Sequence, residues 1–401
     1  MLDPTLEAEG LGRSAFSEAL EADWAARLAE IRDQIAGARV LVTGAAGTIG
    51  AAAVRQLLPL APSRLELVDV DENGLARLAR DIRSRDAGGG VAISFNALDF
   101  AGWPGLALAE AAGPFDLALD FAAVKHVRSG KNLYTLLHMI DVNVVRQHRF
   151  AAHLAQGGLA RRLFVVSTDK AADPASFMGA SKLMMEAAVF AASDGGPRAS
   201  AARFANVAYS SGSLLESYLQ RFAAGQALAA PKDTRRYFIS AREGARICLL
   251  AQLSCPAGRI AVPKFDPASG AVELADTAAA FLLARGRRAA FVATPGEAAR
   301  LLAQAGDAYP VLLTPRDTAG EKEIEVFRGA GETVAPLDLT ALEAVRPASM
   351  DLAALDAAVG ELAAFVAGAK PASVADVEAV IRGVLPAFRH APAEASLDDR
   401  I

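Results

Sequence analysis

Hydrophobic residues change their spacing along the chain, and each change marks a different kind of segment. Up to about residue 35 they recur at helical spacing among interleaved charges, without a β-branched run, which predicts a helical arm. From residue 38 short apolar runs alternate with helical stretches. The runs are ARVLVTG, RLELVDVD, VAISFNALDF, FDLALDFAA, RLFVVST and SAARFANVA. Strands that alternate with helices predict a parallel sheet with helices on both faces.

After about Asn206 the alternation becomes irregular, and turn-rich segments such as VPKFDPASG separate shorter helical pieces. This change indicates a second, smaller lobe. Two more helices are predicted near the carboxyl end, the second opened by Pro371 and by a capping pattern of Ser373 and Asp376. The chain is therefore expected to combine a parallel sheet, a smaller lobe and helices at both ends.

The first predicted strand runs into the pattern Gly44-x-x-Gly47-x-x-Gly50 and then into a helix. Glycine is needed where a chain turns tightly and its backbone approaches a pyrophosphate, and the helix that follows offers free N–H groups. Asp69 ends the next predicted strand, where a carboxylate can contact a ribose hydroxyl. These features predict a bound dinucleotide, and the carboxylate favours NAD, with NADP as the alternative. The predicted cofactor contacts are Gly44, Gly47, Thr48, Ile49, Gly50, Asp69, Asp99, Ala122 and Lys182.

The strand, loop and helix together indicate the fold class. We predict an α/β protein with a Rossmann-type, doubly wound parallel sheet, a smaller α/β substrate lobe, an N-terminal helical arm and C-terminal helices. The expected parts are an arm (1–35), an NAD-binding domain (36–205), a substrate lobe interleaved with it (206–345), and a C-terminal helical segment and tail (346–401). Asp99 has two equally supported interpretations, a contact to the adenine amine or a simple loop acid.

The composition narrows the classes of function. The chain has 401 residues, of which 53% are hydrophobic, so a large core is expected. A net charge of -5 provides no basic field for a nucleic-acid backbone, and nucleic acid is not an expected partner. Cys248 and Cys255 fit neither a disulfide framework nor a zinc site, so no metal is expected. The acidic start of the sequence and the lack of an apolar run of about 18 residues predict a cytoplasmic protein without a membrane partner.

The segment FVVSTDKAADPASFMGASKLMMEAAVF holds the predicted catalytic residues. Its strand ends at Thr168, Asp169 and Lys170, and the next helix places Met178 and Lys182 one turn apart on the same face. The carboxyl ends of the strands line the ligand crevice of a doubly wound sheet, so these residues are predicted to face the cofactor and the substrate. The alternative for the acid and the first lysine is a salt-bridged turn at a strand end.

At these motifs the chain resembles the extended short-chain dehydrogenase/reductase family, and within it the CapD-like sugar-nucleotide 4,6-dehydratases of bacterial polysaccharide biosynthesis. The resemblance covers roughly residues 36–330. It is carried, in family order, by VLVTGAAGTIG, AAVKHVRSGKNLYTLLHMIDVNV, VVSTDKAADPASFMGASK, ARFANVAYSSGSLL, RRYFIS and TAGEKEIEVF. The second and fourth of these look most like the legionaminic-acid branch, whose members act on GDP-N-acetylglucosamine, whereas others use the UDP sugar.

The resemblance implies a hydro-lyase that feeds legionaminic acid, other nonulosonic acids or surface polysaccharide. In such enzymes a nicotinamide takes hydride from C4, a base removes the C5 proton, water leaves from C6, and hydride returns to C6. The implied roles give Thr168 the C4 oxygen, Lys182 the ribose, Lys170 the C5 proton and Asp169 the leaving hydroxyl. A lysine base requires a lowered pKa, and an aspartic acid donor requires a raised pKa.

Met178 departs from the wider family, which carries a tyrosine four residues before its lysine. Methionine cannot exchange a proton, so a plain dehydrogenase or a tyrosine-dependent epimerase would lack its usual acid and base. The dehydratase subgroup includes this Met-x-x-x-Lys variant, which favours a dehydratase over the alternative of an epimerase or reductase of the same family. A catalytically silent sugar-nucleotide sensor is disfavoured because the polar residues of the segment are intact.

The resemblance also assigns residues to the substrate. Lys125 is expected to point into the sugar site, with a solvated loop lysine as the alternative. Asn206 and Arg236 are expected to bind the nucleotide and its diphosphate, although Arg235 could be the arginine that points inward. The nucleotide sugar is thus the expected small-molecule partner, and a homo-oligomer, a dimer or larger, is implied.

Four further positions have weaker assignments. Asn143 matches a helix asparagine that supports the active site in the family, and His126 is expected to be structural. Glu321 and Lys322 either close over the nucleotide or cap a helix.

Overall fold

The computed structural model describes residues 14–85, 89–125, 132–265, 270–304, 306–315 and 322–390. His126 and Glu321 lie outside the described residues. The strands are β1 (Arg39–Thr43), β2 (Arg64–Asp69), β3 (Ala92–Ala97), β4 (Phe115–Asp120), β5 (Ala160–Val166), β6 (Arg198–Ala202), β7 (Asn206–Val207), β8 (Leu228–Pro231), β9 (Arg235–Arg236), β10 (Phe238–Ile239), β11 (Arg259–Pro263), β12 (Val272–Glu273), β13 (Arg288–Val292), β14 (Ala308–Thr314), β15 (Thr333–Ala335) and β16 (Leu342–Arg346).

Helices alternate with these strands over most of the chain. They are α1 (Ala15–Ile35), α2 (Thr48–Leu57), α3 (Glu72–Ser84), α4 (Trp103–Ala112), α5 (Leu133–Ile140), α6 (Arg146–Gln156), α7 (Phe177–Ala192), α8 (Leu214–Ala223), α9 (Ala241–Ser254), α10 (Leu274–Leu283), α11 (Pro295–Leu302), α12 (Leu352–Val366) and α13 (Val374–Val384). A π-helical turn, Asp141–Val145, joins α5 to α6, and a 3-10 turn, Asp169–Ala171, follows β5.

A nine-stranded sheet lies at the centre of the molecule, in the order β15-β16-β11-β6-β5-β4-β1-β2-β3. Neighbouring strands from β11 to β3 are parallel, whereas β16 is antiparallel to β11 and β15 is antiparallel to β16. The chain order reverses between β1 and β4, so the carboxyl ends of these strands open a crevice. The predicted doubly wound parallel sheet is confirmed, and the antiparallel extension is an addition to it.

Apolar side chains on both faces of the sheet explain why these segments form strands. In β1, Val40 and Val42 pack into a hydrophobic cluster on one face, and Leu41 packs into a second cluster on the other. All three residues are buried. Parallel strands covered on both faces are continuous apolar runs, and this is the pattern that predicted them.

Helix α1 lies within the predicted arm and is hydrogen-bonded to the loop before β16. The carboxylate of Asp23 accepts hydrogen bonds from the backbone N–H groups of Thr340 at 2.8 Å and Ala341 at 2.7 Å. The Arg246 guanidinium lies 4.8 Å from the centre of the Trp24 ring. These contacts, together with a buried apolar face, pack α1 against the body of the protein.

The chain between β6 and β15 also forms three smaller sheets within the described residues. Strands β13, β14 and β8 make a parallel sheet, and the pairs β7–β10 and β9–β12 are two residues long. Helices α12 and α13 share an apolar cluster with α5 and α7. The predicted capping box of Ser373 and Asp376 is confirmed at the start of α13. Within the described ranges, no helix has both the length and the apolar character needed to cross a membrane.

Candidate active site

The glycine loop between β1 and α2 is shaped by contacts that exclude side chains. Gly44 has a φ of 65°, and a Cβ there would lie 2.6 Å from the backbone N of Ala122. A Cβ on Gly50 would lie 2.1 Å from the carbonyl O of Gly44. Gly47 is the N-cap of α2 and has no side chain with which to cap it. The loop therefore presents backbone and a helix N-terminus, which suit a pyrophosphate.

Asp69, at the end of β2, lies directly beside this loop. Its Oδ2 accepts a hydrogen bond from the N–H of Ala46 at 2.9 Å, and its Oδ1 accepts one from the N–H of Asp71 at 2.9 Å. These hydrogen bonds fix the Asp69 carboxylate next to the glycine loop. This arrangement fits the ribose of a dinucleotide whose pyrophosphate rests on α2.

Thr48 and Ile49 are the first residues of α2 and connect the loop to other segments. The Thr48 Oγ1 accepts a hydrogen bond from the N–H of Ser211 at 3.5 Å. Ile49 is half-buried and packs against the cluster that contains Val40. The segment after β7 therefore approaches the glycine loop.

Asp99 and Ala122 follow β3 and β4. The Asp99 carboxylate forms an ion pair with Arg146 at the start of α6 and accepts a hydrogen bond from the N–H of Ala101 at 3.2 Å. Ala122 donates its N–H to Asp120 Oδ1 at 2.8 Å. Ala122 thus lies against the glycine loop, as a cofactor contact would require, whereas the Asp99 carboxylate already has a cationic partner.

Thr168, Asp169 and Lys170 form a tight turn directly after β5. Thr168 Oγ1 donates to Asp169 Oδ1 at 2.7 Å, and the Lys170 backbone N–H donates to the same oxygen at 2.9 Å. The Lys170 Nζ lies 3.1 Å from this oxygen. Asp169 is buried, and the Lys170 side chain is 24% exposed. The segment ends a central strand as predicted, and its side chains also form the ion pair of the alternative interpretation.

Glu325 is a buried carboxylate that the sequence analysis did not identify. Its Oε1 lies 3.3 Å from the Lys170 Nζ, so the ammonium lies between two carboxylates. Burial raises the pKa of Glu325, and the charge of Lys170 opposes that shift without cancelling it. The motif TAGEKEIEVF contains Glu321, Glu323 and Glu325, and their spacing does not distinguish the one that faces inward.

The two carboxylates determine the protonation of Lys170. Burial lowers the pKa of this lysine, but Asp169 and Glu325 outweigh that effect, and the net direction is upward. A lysine that removes a proton unaided needs the opposite direction. The expectation of a lowered pKa at Lys170 is therefore wrong for this arrangement, because the sequence did not reveal the second carboxylate.

Lys182 lies on α7, is buried, and reaches the last residue of β5. Its Nζ donates to the carbonyl O of Val166 at 2.8 Å and lies 3.2 Å from the Met185 Sδ. Burial lowers the pKa of Lys182 to about 8, although the charges of Asp120 and Glu186 act to raise it. The Nζ is therefore held by a backbone carbonyl, and the charges of Asp120 and Glu186 favour its protonated form.

Asp120 ends β4 and is a second acid that the sequence analysis missed. It is buried, and its Oδ1 accepts a hydrogen bond from Thr43 Oγ1 at 2.6 Å. Burial raises the pKa of Asp120 to about 6, against the opposing effects of Thr43, Ala122 and Lys182. An acid at the carboxyl end of a central strand was the signal that identified Asp69, and the same criterion would have found Asp120.

Met178 and Asn143 support the site from the side of α7. Met178 is buried in the apolar cluster that α7 shares with α12 and α13. Asn143 lies in the π-helical turn, where its Oδ1 accepts from the N–H of Val124 at 2.8 Å and its Nδ2 donates to the carbonyl O of Val124 at 2.8 Å. Its Nδ2 also donates to Ser181 Oγ at 3.1 Å. Asn143 therefore fixes the chain immediately before Lys125.

Lys125 and Asn206 both contact residues that follow β6 in the chain. The Lys125 Nζ donates to Ser210 Oγ at 3.1 Å, and burial lowers the pKa of this lysine. The Asn206 Nδ2 donates to the carbonyl O of Tyr237 at 3.5 Å. The two predicted substrate residues thus contact different segments, Lys125 the one after β7 and Asn206 the one between β9 and β10.

Arg236 lies with the Lys170 cluster instead. It is buried, whereas the Arg235 side chain is 33% exposed, so Arg236 is the arginine that points inward. Its Nη1 donates to the carbonyl oxygens of Lys322 at 2.9 Å and Glu323 at 3.1 Å. The guanidinium therefore holds the segment that carries the second carboxylate.

A buried ion-pair network lies next to the turn formed by Thr168, Asp169 and Lys170. Arg203 is fully buried, and its Nη2 lies 2.6 Å from Glu186 Oε2 while its Nη1 lies 2.8 Å from Glu332 Oε2. Ser167 Oγ donates to Glu186 Oε1. The network ties the end of β6 to α7 and to the segment before β15.

Comparisons of the sequence with known proteins identify a family and several relatives. A family model described as polysaccharide biosynthesis protein matches residues 40–293, more than half of the chain. An uncharacterized membrane protein of Methanocaldococcus jannaschii is 28% identical over 233 residues, 56% of this chain and 66% of that protein. The UDP-N-acetylglucosamine 4,6-dehydratase (inverting) of Campylobacter jejuni is 24% identical over 247 residues, 57% of this chain and 67% of that protein. The matched regions span between 37% and 67% of the lengths of the curated relatives.

Solved structures share the architecture. The Bordetella bronchiseptica enzyme WbmF, in complex with NAD+, has a TM-score of 0.51 at 14% sequence identity, over 87% of this chain and 97% of that chain. At this identity the likeness shows the fold, which is the Rossmann-type α/β architecture with its large parallel sheet.

Proposed function

We propose, because this chain belongs to the family of polysaccharide biosynthesis proteins, that it is a nucleotide-sugar 4,6-dehydratase. The proposed substrate is GDP- or UDP-N-acetylglucosamine, and the product is the 4-keto-6-deoxy sugar for legionaminic acid, another nonulosonic acid or a surface polysaccharide. The proposed cofactor is NAD, with NADP as the alternative. The dehydratase activity of the Campylobacter jejuni relative is consistent with this proposal.

The observation that carries the proposal is the pair Asp169 and Lys170 at the carboxyl end of β5, beside the crevice where the sheet order reverses. Dehydration across C5 and C6 needs both an acid and a base, and this pair supplies both. Epimerisation or simple oxidation by the wider family uses a tyrosine, and Met178 in that position is buried in an apolar cluster. The geometry therefore favours elimination of water.

The cofactor cradle suits the required hydride chemistry. When bound, a nicotinamide accepts hydride from C4 and returns it to C6. Thr168 then hydrogen-bonds the C4 oxygen, and Lys182 positions the ribose. The glycine loop and Asp69 hold the rest of the dinucleotide, since a Cβ on Gly44 or Gly50 would fill the space against the backbone.

The proton transfers follow from the contact between Lys170 and Asp169. One proton passes from the Lys170 Nζ to the Asp169 carboxylate over the 3.1 Å that separates them. That single transfer leaves a neutral amine, which removes the C5 proton, and a neutral carboxylic acid, which protonates the departing C6 hydroxyl. At the end Lys170 is again an ammonium and Asp169 a carboxylate, and one water has been formed. The raised pKa of Lys170 opposes this first transfer, so its cost is part of the barrier to dehydration.

The test is to incubate the protein with NAD and, separately, with UDP- and GDP-N-acetylglucosamine in heavy water. We expect a product lighter by one water, with deuterium at C5 and no accumulation of reduced cofactor, from at least one substrate. Mass spectrometry and NMR read all three quantities. A product of unchanged mass would identify an epimerase, and accumulated reduced cofactor would identify a dehydrogenase.

In the same assay Lys170→Ala and Asp169→Asn should each lower kcat by about 10² to 10⁴-fold, since each removes one member of the acid–base pair. The matched control is Lys232→Ala, which changes an exposed lysine and should leave turnover unchanged. Turnover at the wild-type rate in either active-site variant would remove the assigned roles.

A further inference from the structure

The Lys170 ammonium has a second carboxylate partner from a distant part of the sequence. Glu325 Oε1 lies 3.3 Å from the Lys170 Nζ, and the Glu325 side chain is 3% exposed. A carboxylate so deeply buried is unfavourable unless it is paired, and Lys170 lies within ion-pair distance of it. The ion pair with Lys170 therefore compensates for the burial of the Glu325 carboxylate.

The segment that carries Glu325 forms hydrogen bonds with Arg236 and with Asp173. Arg236 donates to the carbonyl oxygens of Lys322 at 2.9 Å and Glu323 at 3.1 Å. The Lys322 Nζ donates to the carbonyl O and to Oδ2 of Asp173, each at 2.5 Å. Asp173 lies three residues after Lys170, so the chain just after the turn also anchors this segment.

We propose that Glu325 is a positioning residue for the catalytic Lys170, and that residues 322–325 complete the active site. This inference rests on the proposed function. The Lys170 Nζ donates a hydrogen bond to Asp169, and the Glu325 carboxylate lies at ion-pair distance from the same Nζ. The Nζ is thereby held in the one place from which it can give a proton to Asp169 and receive the C5 proton.

The charges around the Nζ are consistent with this role. Asp169 and Glu325 raise the pKa of Lys170, and Arg236 acts to lower it. Lys170, Arg236 and Lys322 each act to lower the pKa of Glu325, and Asp169 acts to raise it. Loss of the Glu325 charge should therefore make Lys170 less basic and also release its side chain.

The experiment compares Glu325→Gln with the wild-type protein loaded with NAD. The basicity of Lys170 is measured as the pH midpoint of its competitive labelling by acetic anhydride, read by mass spectrometry, and turnover is measured with the nucleotide sugar. We expect the Lys170 midpoint to move to lower pH and kcat to fall at least about 10-fold, with KM little changed. Glu361→Gln, which breaks an exposed carboxylate–lysine pair with Lys370, is the matched control and should change neither quantity.

An unchanged Lys170 midpoint in a folded Glu325→Gln protein would overturn the inference, because a purely structural glutamate would not alter that value. Glu325→Asp keeps the charge but withdraws it from the Nζ, and we expect an intermediate kcat and midpoint. If Glu325→Gln does not fold, wild-type values for both quantities in Glu325→Asp would overturn the inference instead. The labelling result does not depend on which reaction is catalysed, so failure of the dehydration assay remains distinguishable from failure of this inference.

Discussion

Lys182 is an ammonium group that lies almost entirely out of contact with solvent, and carboxylates of the protein maintain its charge. Burial lowers its pKa to about 8, and Asp120 and Glu186 limit the decrease. Asp120 is itself shifted upward, to about 6, because it is buried as well. Burial therefore brings the pKa of each of these two groups much closer to 7 than it would be in water.

Cofactor affinity should depend on pH through Lys182, if its ammonium contacts the dinucleotide. A lysine loses its charge as the pH rises through its pKa, so the Kd for NAD should increase as the pH passes about 8. Lys182→Arg should abolish the dependence, since a guanidinium stays charged. Asp120→Asn removes a charge that raises the lysine pKa and should move the midpoint to lower pH. Calorimetric titration of NAD measures these values, and a constant Kd in the wild-type protein would contradict the assignment.

At the scale of single residues, the sequence showed where site residues lie along the chain better than it showed which side chains they contact. Thr168, Asp169 and Lys170 were located because a strand end in a doubly wound sheet is defined by local pattern. Glu325 was not found, because its role depends on a contact between segments far apart in the chain. For the same reason the pKa direction of Lys170 could not be obtained from sequence, since burial and two carboxylates compete at that site.

At the scale of elements, the turn from β1 into α2 depends on close approach of backbone to backbone. The Gly50 hydrogens face the carbonyl O of Gly44, and a Cβ would lie 2.1 Å from that atom. The loop can accept a methyl group only by moving away from the position that cradles the pyrophosphate. This constraint connects the geometry of one helix N-terminus to cofactor binding.

Gly50→Ala should therefore destabilise the protein by about 1–3 kcal/mol and weaken NAD binding. The matched control is Gly360→Ala, also within a helix, where a Cβ would meet no atom within 4 Å. That substitution should stabilise the protein by up to about 1 kcal/mol, because alanine is the better helix former. Denaturant unfolding and NAD titration measure both effects, and equal behaviour of the two variants would contradict the close-contact argument.

Elements with a strong local pattern were predicted, and elements defined by a partner were not. The strands β1 to β6 were recognised as apolar runs between helices, and the capping box of α13 was recognised from Ser373 and Asp376. The two-residue strands β7, β9, β10 and β12 escape such reasoning, since they exist only through pairing with each other. The π-helical turn at Asn143 has no sequence periodicity of its own.

At the scale of the whole molecule, the buried network of Arg203, Glu186 and Glu332 joins three regions that are distant in sequence. Removing the cation would leave two carboxylates without a counter-charge in the interior. We expect Arg203→Met to lower the free energy of unfolding by about 3–5 kcal/mol. Arg328→Met, which removes a half-exposed arginine paired with Glu343, should cost less than about 1 kcal/mol.

Chemical denaturation of the two arginine variants gives both free energies. A cost at Arg203 as small as that at Arg328 would mean that the buried carboxylates take up protons at little expense. In that case the network would contribute little to holding α7, β6 and the segment before β15 together.

The hydrogen bonds of Asp23 have a consequence for how the protein is made. The backbone donors that meet its carboxylate are 317 and 318 positions further along the chain. A ribosome therefore finishes α1 long before it reaches the residues against which that helix docks. Until those residues have been added, the Asp23 carboxylate lacks both backbone donors and the central sheet lacks β16. Docking of α1 against the loop before β16 therefore follows the synthesis of residues 340 and 341.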